Sequence, residues 1–326
     1  MNKPSDIKPT TKAKSAVKLT PMMAQYLQIK REAGDDVILF YRMGDFYEMF
    51  FEDAVKAAQA LDIALTKRGK HDGADIPMCG VPVHSSETYL QKLIKKGFRV
   101  AVCEQTEDPA EAKKRGYKAV VRREIVRVVT PGTLTEDTLL DARRANTIMC
   151  IARSRAGQYA ISWADISDGS FQLCAVDEAA LGAEIAAIVP RELVLSESLY
   201  QDADFRTVLE DCQAALTPIP NAKFDGRAAE RQLKTHFGAA TLEGFGDFSA
   251  PEISAAGAML DYLELTQAGR PVALSPPRQR ASSGFMSIDP ATRQSLEIER
   301  TQTGSRKGSL LSVIDRTLTG PGARLL

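Results

Sequence analysis

Short apolar segments alternate with segments that carry helix boundary signals in the first 132 residues, and this alternation constrains the fold more than any other feature. Thr20 followed by Pro21 is typical of a helix start, because the hydroxyl caps free N–H groups and proline lacks one. The expected elements are helices at 21–33, 52–61, 85–96 and from 108, strands at 37–43, 63–66, 98–103 and 124–129, a turn at 44–45 and a loop at 76–84. The alternation predicts one α/β domain with a mostly buried sheet.

The pattern changes at Asn146. Three short strand segments follow one another with glycine-bearing turns between them, which predicts an antiparallel meander. The expected elements are strands at 147–152, 158–164, 170–176 and 192–196, and helices at 178–188 and near 202–212, 226–237 and 253–267. Three antiparallel strands followed by α/β alternation resemble an RNase H-like domain.

A Ser-Pro-Pro sequence at 275–277 indicates a linker, and a third segment begins near residue 285. Apolar residues recur at helical spacing over 291–299 and 308–318, which predicts two helices. Because the sequence ends in an apolar run without a stop signal, this helical domain is expected to extend past Leu326. The chain is therefore predicted to be a multi-domain α/β protein that ends in the start of an all-α domain.

Charge is distributed unevenly along a chain that is neutral overall. Residues 1–132 hold 23 Lys and Arg against 17 Asp and Glu, whereas residues 133–326 hold 19 against 25. The basic excess favours the N-terminal third as the place for a phosphate-contacting face. Residues 1–18 are basic and polar without the apolar core of a signal peptide, and they are interpreted as a flexible tail.

Membrane insertion and disulfide bonding are both disfavoured by the sequence. No apolar run approaches the roughly 20 residues that a membrane helix needs. The five cysteines are odd in number, far apart and without a Cys-x-x-Cys pair, so neither a zinc site nor a disulfide framework is indicated. Buried, reduced thiols of a cytoplasmic protein are the favoured interpretation.

Residues 40–50 contain Gly44-Asp45 followed by Phe46-x-Glu48, and this stretch resembles the mismatch-binding motif of the MutS family. Further segments resemble the same family, in the same order, at 61–69, 77–84, 102–105, 128–133, 308–311 and 314–317. The Phe-x-Glu motif alone would be weak support for the family. The full set of segments in the same order is specific, and it covers essentially everything after the tail.

The resemblance implies a division into domains. A flexible tail at 1–18 is followed by a mixed-sheet mismatch-binding domain at 19–132, an RNase H-like connector domain at 133–270, and a linker with the truncated start of a helical core or lever domain at 271–326. It also implies recognition of mismatched or unpaired bases in double-stranded DNA, a homodimer, a MutL-type repair partner bound through the connector, and a bacterial cytoplasmic location at the nucleoid.

ATP and magnesium are expected only in the full-length family, where a C-terminal P-loop binds them. The P-loop pattern of two glycines separated by four residues and followed by Lys and Ser or Thr does not occur in this sequence. The chain is therefore predicted to be a fragment that neither binds nor hydrolyses ATP and needs no cofactor.

Phe46 and Glu48 are the predicted recognition residues. A mismatched step is easier to kink than a matched one, so an aromatic wedge inserted from the minor groove reads deformability rather than sequence. In an extended segment Glu48 lies on the same side as Phe46, where its carboxylate would accept a hydrogen bond from a displaced base and repel the phosphates of matched DNA. The alternatives are a core role for Phe46, and for Glu48 a solvated charge or a favourable interaction with the following helix dipole.

Six further residues are candidates for contacts with the DNA backbone, and Arg68 beside Gly69 is favoured among them. A solvated surface charge is the alternative for each lysine and arginine, and a structural hydrogen bond is the alternative for the histidine. The candidates are Arg68, Lys67, Arg42, His84, Lys95 and Lys96.

Two other functions are kept open for this chain. RNase H-like nucleases use carboxylates with magnesium, so Asp165 and Asp168 could belong to a nuclease, although Asp168-Gly169 is better explained as a hairpin turn. The third possibility is a module that only docks a partner protein.

Overall fold

Two six-stranded mixed sheets, each covered by helices, form the protein, which confirms the multi-domain α/β prediction. The computed structural model describes residues 20–71, 73–116, 119–134, 145–209, 212–268, 271–280, 286 and 288–326. The predicted tail at 1–18 lies outside the described residues. None of the described helices is long and apolar enough to cross a membrane.

The first sheet has the strand order β3-β4-β2-β1-β5-β6. Its strands are β1 (Val37–Met43), β2 (Phe46–Phe50), β3 (Thr66–His71), β4 (Ala74–Pro82), β5 (Arg99–Gln105) and β6 (Arg123–Val129). Only β1 and β5 run parallel, and every other neighbouring pair is antiparallel. Strand β2 therefore lies inside the sheet with hydrogen-bonded neighbours on both sides.

Four helices accompany this sheet: α1 (Pro21–Ala33), α2 (Phe51–Leu61), α3 (Ser86–Lys95) and α4 (Pro109–Lys114). Helices α2 and α3 cover one face, where Phe40, Tyr47 and Met49 are buried. Helix α1 covers part of the other face and packs on Leu39, Tyr41 and Phe50. As predicted, the Thr20 hydroxyl caps α1 by accepting the N–H of Met23.

Two expectations for the first sheet were wrong. Residues 63–66 were predicted to be a strand, but the strand runs over Thr66–His71, where polar side chains occupy an exposed edge. Residues 76–84 were predicted to be a loop, but most of them belong to β4. The Gly and Pro residues misled the prediction because β4 continues through Pro77, Gly80 and Pro82, whereas such residues usually interrupt strands.

The second sheet has the order β11-β10-β7-β8-β9-β12. Its strands are β7 (Thr147–Arg153), β8 (Tyr159–Asp165), β9 (Ser170–Val176), β10 (Glu192–Ser196), β11 (Ala215–Ile219) and β12 (Arg278–Gln279). Strands β7 to β9 form the predicted antiparallel meander, and β7, β10 and β11 run parallel. The arrangement on which the RNase H-like resemblance depends is thus present, while β11 and β12 were not predicted.

Helices lie on both faces of the second sheet: α5 (Glu178–Ile188), α6 (Glu197–Gln201), α7 (Ala203–Val208), α8 (Gly226–Phe237) and α9 (Ala250–Thr266). The core on the α9 face includes Phe171 and Met259. The core on the opposite face includes Leu181 and Phe205. The two faces together bury a sheet whose strand β8 is buried along its whole length.

A buried carboxylate joins the two sheets. Glu192, at the start of β10, is completely buried and accepts hydrogen bonds from the hydroxyls of Thr217 and Tyr262, each at 2.6 Å. The hydroxyl of Thr130, which follows β6 of the first sheet, also donates to this carboxylate. Since a buried carboxylate needs several donors to replace water, these contacts fix the position of the connection after β6.

Three short helices occur after residue 288: α10 (Pro290–Ser295), α11 (Leu310–Ile314) and α12 (Gly320–Leu325). The two helices predicted at 291–299 and 308–318 are therefore present but shorter than expected. Helix α11 ends at Ile314, and the side chain of the following Asp315 accepts the N–H of Thr317 and so turns the backbone.

All five cysteines are free, and four of them are buried. Burial raises the pKa of Cys79 to about 11 and that of Cys103 to about 12, so both thiols are protonated at neutral pH. These features agree with the prediction of buried, reduced thiols.

Candidate functional site

Phe46 is the first residue of β2 and follows a two-residue turn. Met43 and Phe46 are register partners, and Gly44 between them has a φ of +59°, a conformation that glycine adopts without strain. The Phe46 side chain is 47% exposed, which is unusual for a phenylalanine at the end of an inner strand. The predicted core role of this side chain, the alternative to the wedge, is therefore disfavoured.

Phe46 and Glu48 lie on the same face of the sheet. Side chains alternate between the two faces of a strand, and the intervening Tyr47 is buried in the core beneath α2 and α3. The neighbouring strands β1 and β4 hold both sides of β2 through the register pairs of Glu48 with Tyr41 and with Gly80. The backbone of the Phe-x-Glu segment is thus fixed by its place in the sheet.

Gly80 lies next to both Phe46 and Glu48 on the neighbouring strand β4. A Cβ atom at this position would lie 3.7 Å from Cγ of Glu48 and 3.9 Å from Cδ1 of Phe46. A larger side chain would extend further along the same face and compete with both residues for space. The loop predicted at 76–84 gave no sign of this placement, although Gly80 belongs to a segment that carries the family resemblance.

Arg68 forms an ion pair with Glu48. Its Nη1 atom donates a hydrogen bond to Oε2 of Glu48, although the two residues lie on β3 and β2 with β4 between them. The Glu48 side chain is 15% exposed and the Arg68 side chain is 42% exposed. The structure therefore brings together three of the predicted site residues, namely Phe46, Glu48 and Arg68.

Lys67 and Arg42 are paired with other carboxylates. Lys67 lies beside Arg68 on β3 and donates to Asp75 at 2.7 Å. Arg42 is the register partner of Tyr47, so its side chain lies on the face opposite Phe46. There its guanidinium lies 3.4 Å from Glu104, which also accepts the hydroxyl of Tyr47. Lys67 thus lies on the same hairpin as Arg68, whereas Arg42 is separated from the site by the sheet.

His84 lies at the Phe46 end of the sheet. It belongs to the short turn Val83–Ser85, which follows Pro82, the register partner of Phe46. The N–H of Val83 donates to the carbonyl of Asp45 at 2.9 Å and ties this turn to the hairpin that precedes Phe46.

Lys95 and Lys96 lie at the opposite end of the sheet from Phe46. They precede Arg99, the first residue of β5, which pairs with Val37 at the start of β1. Strand β1 extends about 20 Å from Val37 to Met43, and Met43 is the register partner of Phe46. Both lysines line a cavity of about 940 Å³ that also includes residues of α5 and of the connections around the second sheet. The structure does not bring them together with Phe46.

Asp165 is engaged in local hydrogen bonds within the second sheet. Its Oδ2 atom accepts the N–H of Asn146 at 2.9 Å, and its Oδ1 atom accepts the N–H of Ser167 at 2.9 Å. Asp168 accepts the N–H of Ser170 at 2.8 Å, as expected in a hairpin turn. Within the part of the chain that the structure describes, no three His, Cys, Asp or Glu side chains are grouped to hold a metal ion. These contacts favour the structural interpretation of both aspartates.

Two family models match successive parts of this chain. The model described as MutS domain I matches residues 20–138, and the model described as MutS domain II matches residues 146–277. They match the two sheets in turn, apart from β12, and the Phe-x-Glu segment of β2 lies in the first. The chain belongs to the MutS family.

Curated relatives agree with this assignment. Three proteins named DNA mismatch repair protein MutS are similar to the chain: those of Ruegeria pomeroyi (59% identical over 94% of this chain), Cereibacter sphaeroides (57% over 94%) and Azorhizobium caulinodans (53% over 99%). The matched part is 34–35% of the length of each relative. The chain thus spans about a third of the length of the curated relatives that it matches.

Proposed function

We propose that this chain, as part of the full-length protein, supplies the residues that recognise mismatched or unpaired bases in double-stranded DNA and so initiate DNA mismatch repair. Membership of the MutS family and the names of its relatives support this role. The observation that carries the proposal is the half-exposed Phe46 on a strand that is fixed on both sides. A wedge must not yield when it meets a stiff duplex, and an inner strand is a rigid support.

The Phe46 ring acts as the wedge. It enters the minor groove, stacks on one base and holds the kink open, which contributes about 1–3 kcal/mol per stacked base. Bending a site of 20–30 base pairs costs on the order of 1–6 kcal/mol and depends on the stiffness of the step. Since the two energies are of similar size, stacking offsets the bending cost at an easily bent mismatched step but not at a stiffer matched step.

Glu48 discriminates against matched DNA. Its carboxylate accepts a hydrogen bond from a base that the wedge has displaced, and a matched duplex offers no such displaced donor. Close to phosphates the same carboxylate is repulsive. Gly80 supports this role because a side chain at this position would contact both Glu48 and Phe46.

Phosphate contacts come from the β3–β4 hairpin and from the turn after β4. Lys67, Arg68 and His84 lie on these two elements, and we propose them as the backbone-contacting residues of this site. Arg42, Lys95 and Lys96 would contact DNA only on another face or at the other end of the sheet. For the whole protein, we further propose a homodimer, ATP with magnesium, and a MutL-type partner that binds through the second domain.

The test compares DNA binding by two variants in a full-length context. In a full-length chimaera, the chain replaces the corresponding third of the Ruegeria pomeroyi relative. Binding of this chimaera to G·T and G·C duplexes is measured. Phe46→Ala should abolish the preference for G·T. The control is Val55→Ala, a similarly exposed apolar residue on α2, which should keep the preference. A folded Phe46→Ala protein that still prefers G·T would overturn the proposal.

A further inference from the structure

The Glu48–Arg68 ion pair differs from the Lys67–Asp75 ion pair of the β3–β4 hairpin. Lys67 and Asp75 are exposed by 72% and 41% and lie on adjacent strands, so their pair resembles ordinary surface pairs, which contribute about 0–1 kcal/mol. Arg68 instead reaches across β4 to a largely buried carboxylate beside Phe46. The geometry therefore couples the candidate base-reading residue to the candidate phosphate-binding residue.

Engagement by Glu48 limits what Arg68 can offer to DNA. A guanidinium that donates to a carboxylate at close range forms a charge-assisted pair with no net charge. A phosphate that approaches this pair gains little, because the attraction of Arg68 is offset by the repulsion of Glu48. Arg68 becomes an effective phosphate ligand only when Glu48 no longer holds it.

A displaced base provides the means of release. If a base N–H donates to Glu48, the carboxylate has another partner, and Arg68 exchanges one anionic acceptor for another when it moves to a nearby phosphate. Both acceptors carry negative charge and both suit the planar guanidinium. The hydrogen bond from the base to Glu48 is therefore enough to favour the transfer of Arg68 from Glu48 to the phosphate.

We propose that Arg68 is a conditional phosphate ligand, withheld from DNA by Glu48 until Glu48 binds a base. This inference rests on the proposed function for its biological meaning. The claim that Glu48 keeps Arg68 from binding phosphates can be tested on matched DNA alone. Arg68 thereby becomes a specificity-determining residue, because it adds affinity only where Glu48 has found a base donor.

The experiment is a double-substitution cycle in the 326-residue chain on a matched G·C duplex. Each phosphate contact contributes about 0.9 to the slope of log K against log salt concentration. With Glu48 present, Arg68→Ala should leave this slope unchanged. In a Glu48→Ala background the same substitution should lower the slope by about 0.9, whereas Arg68→Lys should retain it.

Lys67→Ala is the matched control. Lys67 pairs with Asp75 rather than Glu48, so its substitution should change the slope equally in the wild-type and Glu48→Ala backgrounds. An equal effect of Arg68→Ala in both backgrounds, or no effect in either, would overturn the inference. Failure of the proposed function is distinguishable, because it appears as a missing G·T preference in the full-length comparison rather than in this cycle.

Discussion

The backbone N–H of Gly132 donates a hydrogen bond of 3.0 Å to the buried carboxylate of Glu192. Gly132 lies beyond the last strand of the first sheet, and Glu192 begins β10 of the second. Together with the Thr130 hydroxyl, this contact ties the start of the connection between the domains to the second sheet. The Glu192 carboxylate thus helps to hold the end of the first sheet against the second.

Gly132→Ala should destabilise this junction. A Cβ atom at Gly132 would lie 2.8 Å from Cβ of Glu192 and 2.9 Å from Cβ of Ile148. Both neighbours are anchored in strands, so the backbone must shift, at about 1–3 kcal/mol. The urea midpoint, followed by fluorescence of Trp163 in β8, should fall.

Gly182→Ala is the control for this substitution. Gly182 lies inside α5, and its added Cβ would meet only Cγ1 of Val208, at an ordinary 3.9 Å. Alanine is favoured over glycine in a helix by about 0.5–1 kcal/mol, so stability should stay the same or rise. Equal urea midpoints for Gly132→Ala and the wild type would contradict the steric argument.

Phe46→Ala and Phe50→Ala should differ sharply in stability, although both residues lie on β2. Phe50 is completely buried and packs edge-on against Tyr26 with a centroid distance of 4.9 Å, so its loss should cost about 3–5 kcal/mol. Loss of the half-exposed Phe46 should change stability by less than about 0.5 kcal/mol. Urea unfolding followed by circular dichroism measures both, and similar losses would mean that Phe46 is a core residue.

Sequence patterns predicted the elements whose signals are local. Helix α5 and strand β10 were predicted with the bounds that the structure has, because apolar spacing and flanking turn residues define them. Strand β3 was misplaced because its side chains are exposed and polar at the sheet edge, where the apolar pattern of a buried strand is lost. Strand β4 was missed because its proline and glycine residues carry the signals of a loop.

The candidate site was only partly predictable. Phe46 and Glu48 were identified by resemblance, and their common face followed from strand periodicity. The ion pair with Arg68 could not be predicted, because it depends on the order of three strands. The role of Glu192 could not be predicted either. Its hydrogen-bond partners lie 25 to 70 residues away, so the sequence around a single glutamate at the start of an apolar strand does not indicate them.

Tyr262 should make the protein sensitive to alkaline pH. Burial raises the pKa of Tyr262 well above its usual value of 10, and the Glu192 carboxylate beside it acts in the same direction. Above pH 10 the unfolded chain releases this proton whereas the folded protein keeps it. The free energy of unfolding therefore falls with rising pH, by about 1.4 kcal/mol per pH unit from this residue.

Tyr262→Phe removes this contribution. The variant should be less stable near pH 8, because a hydrogen bond to a charged group, worth about 1.5–3 kcal/mol, is lost. Between about pH 10 and 11, however, its stability should fall less steeply than that of the wild type. Urea unfolding across this pH range provides the measurement, and identical slopes would show that Tyr262 does not titrate differently in the two states.

The 326-residue chain alone should bind DNA weakly and with little mismatch preference, although it contains the Phe-x-Glu strand. Stacking by a single phenylalanine contributes about 1–3 kcal/mol, which leaves little after a bend that costs on the order of 1–6 kcal/mol. Phosphate attraction must supply the rest. The chain has no net charge, and its basic excess is confined to the first 132 residues.

Affinity is therefore expected in the non-specific range, about 10⁻⁴–10⁻⁶ M, and it should fall steeply with salt. Fluorescence anisotropy with G·T and G·C duplexes at two salt concentrations measures affinity, preference and salt dependence together. The same titration with the full-length chimaera is the control, since the additional two thirds of the relative should restore tight binding. Nanomolar binding that favours G·T in the 326-residue chain would mean that its own contacts provide both the affinity and the bend.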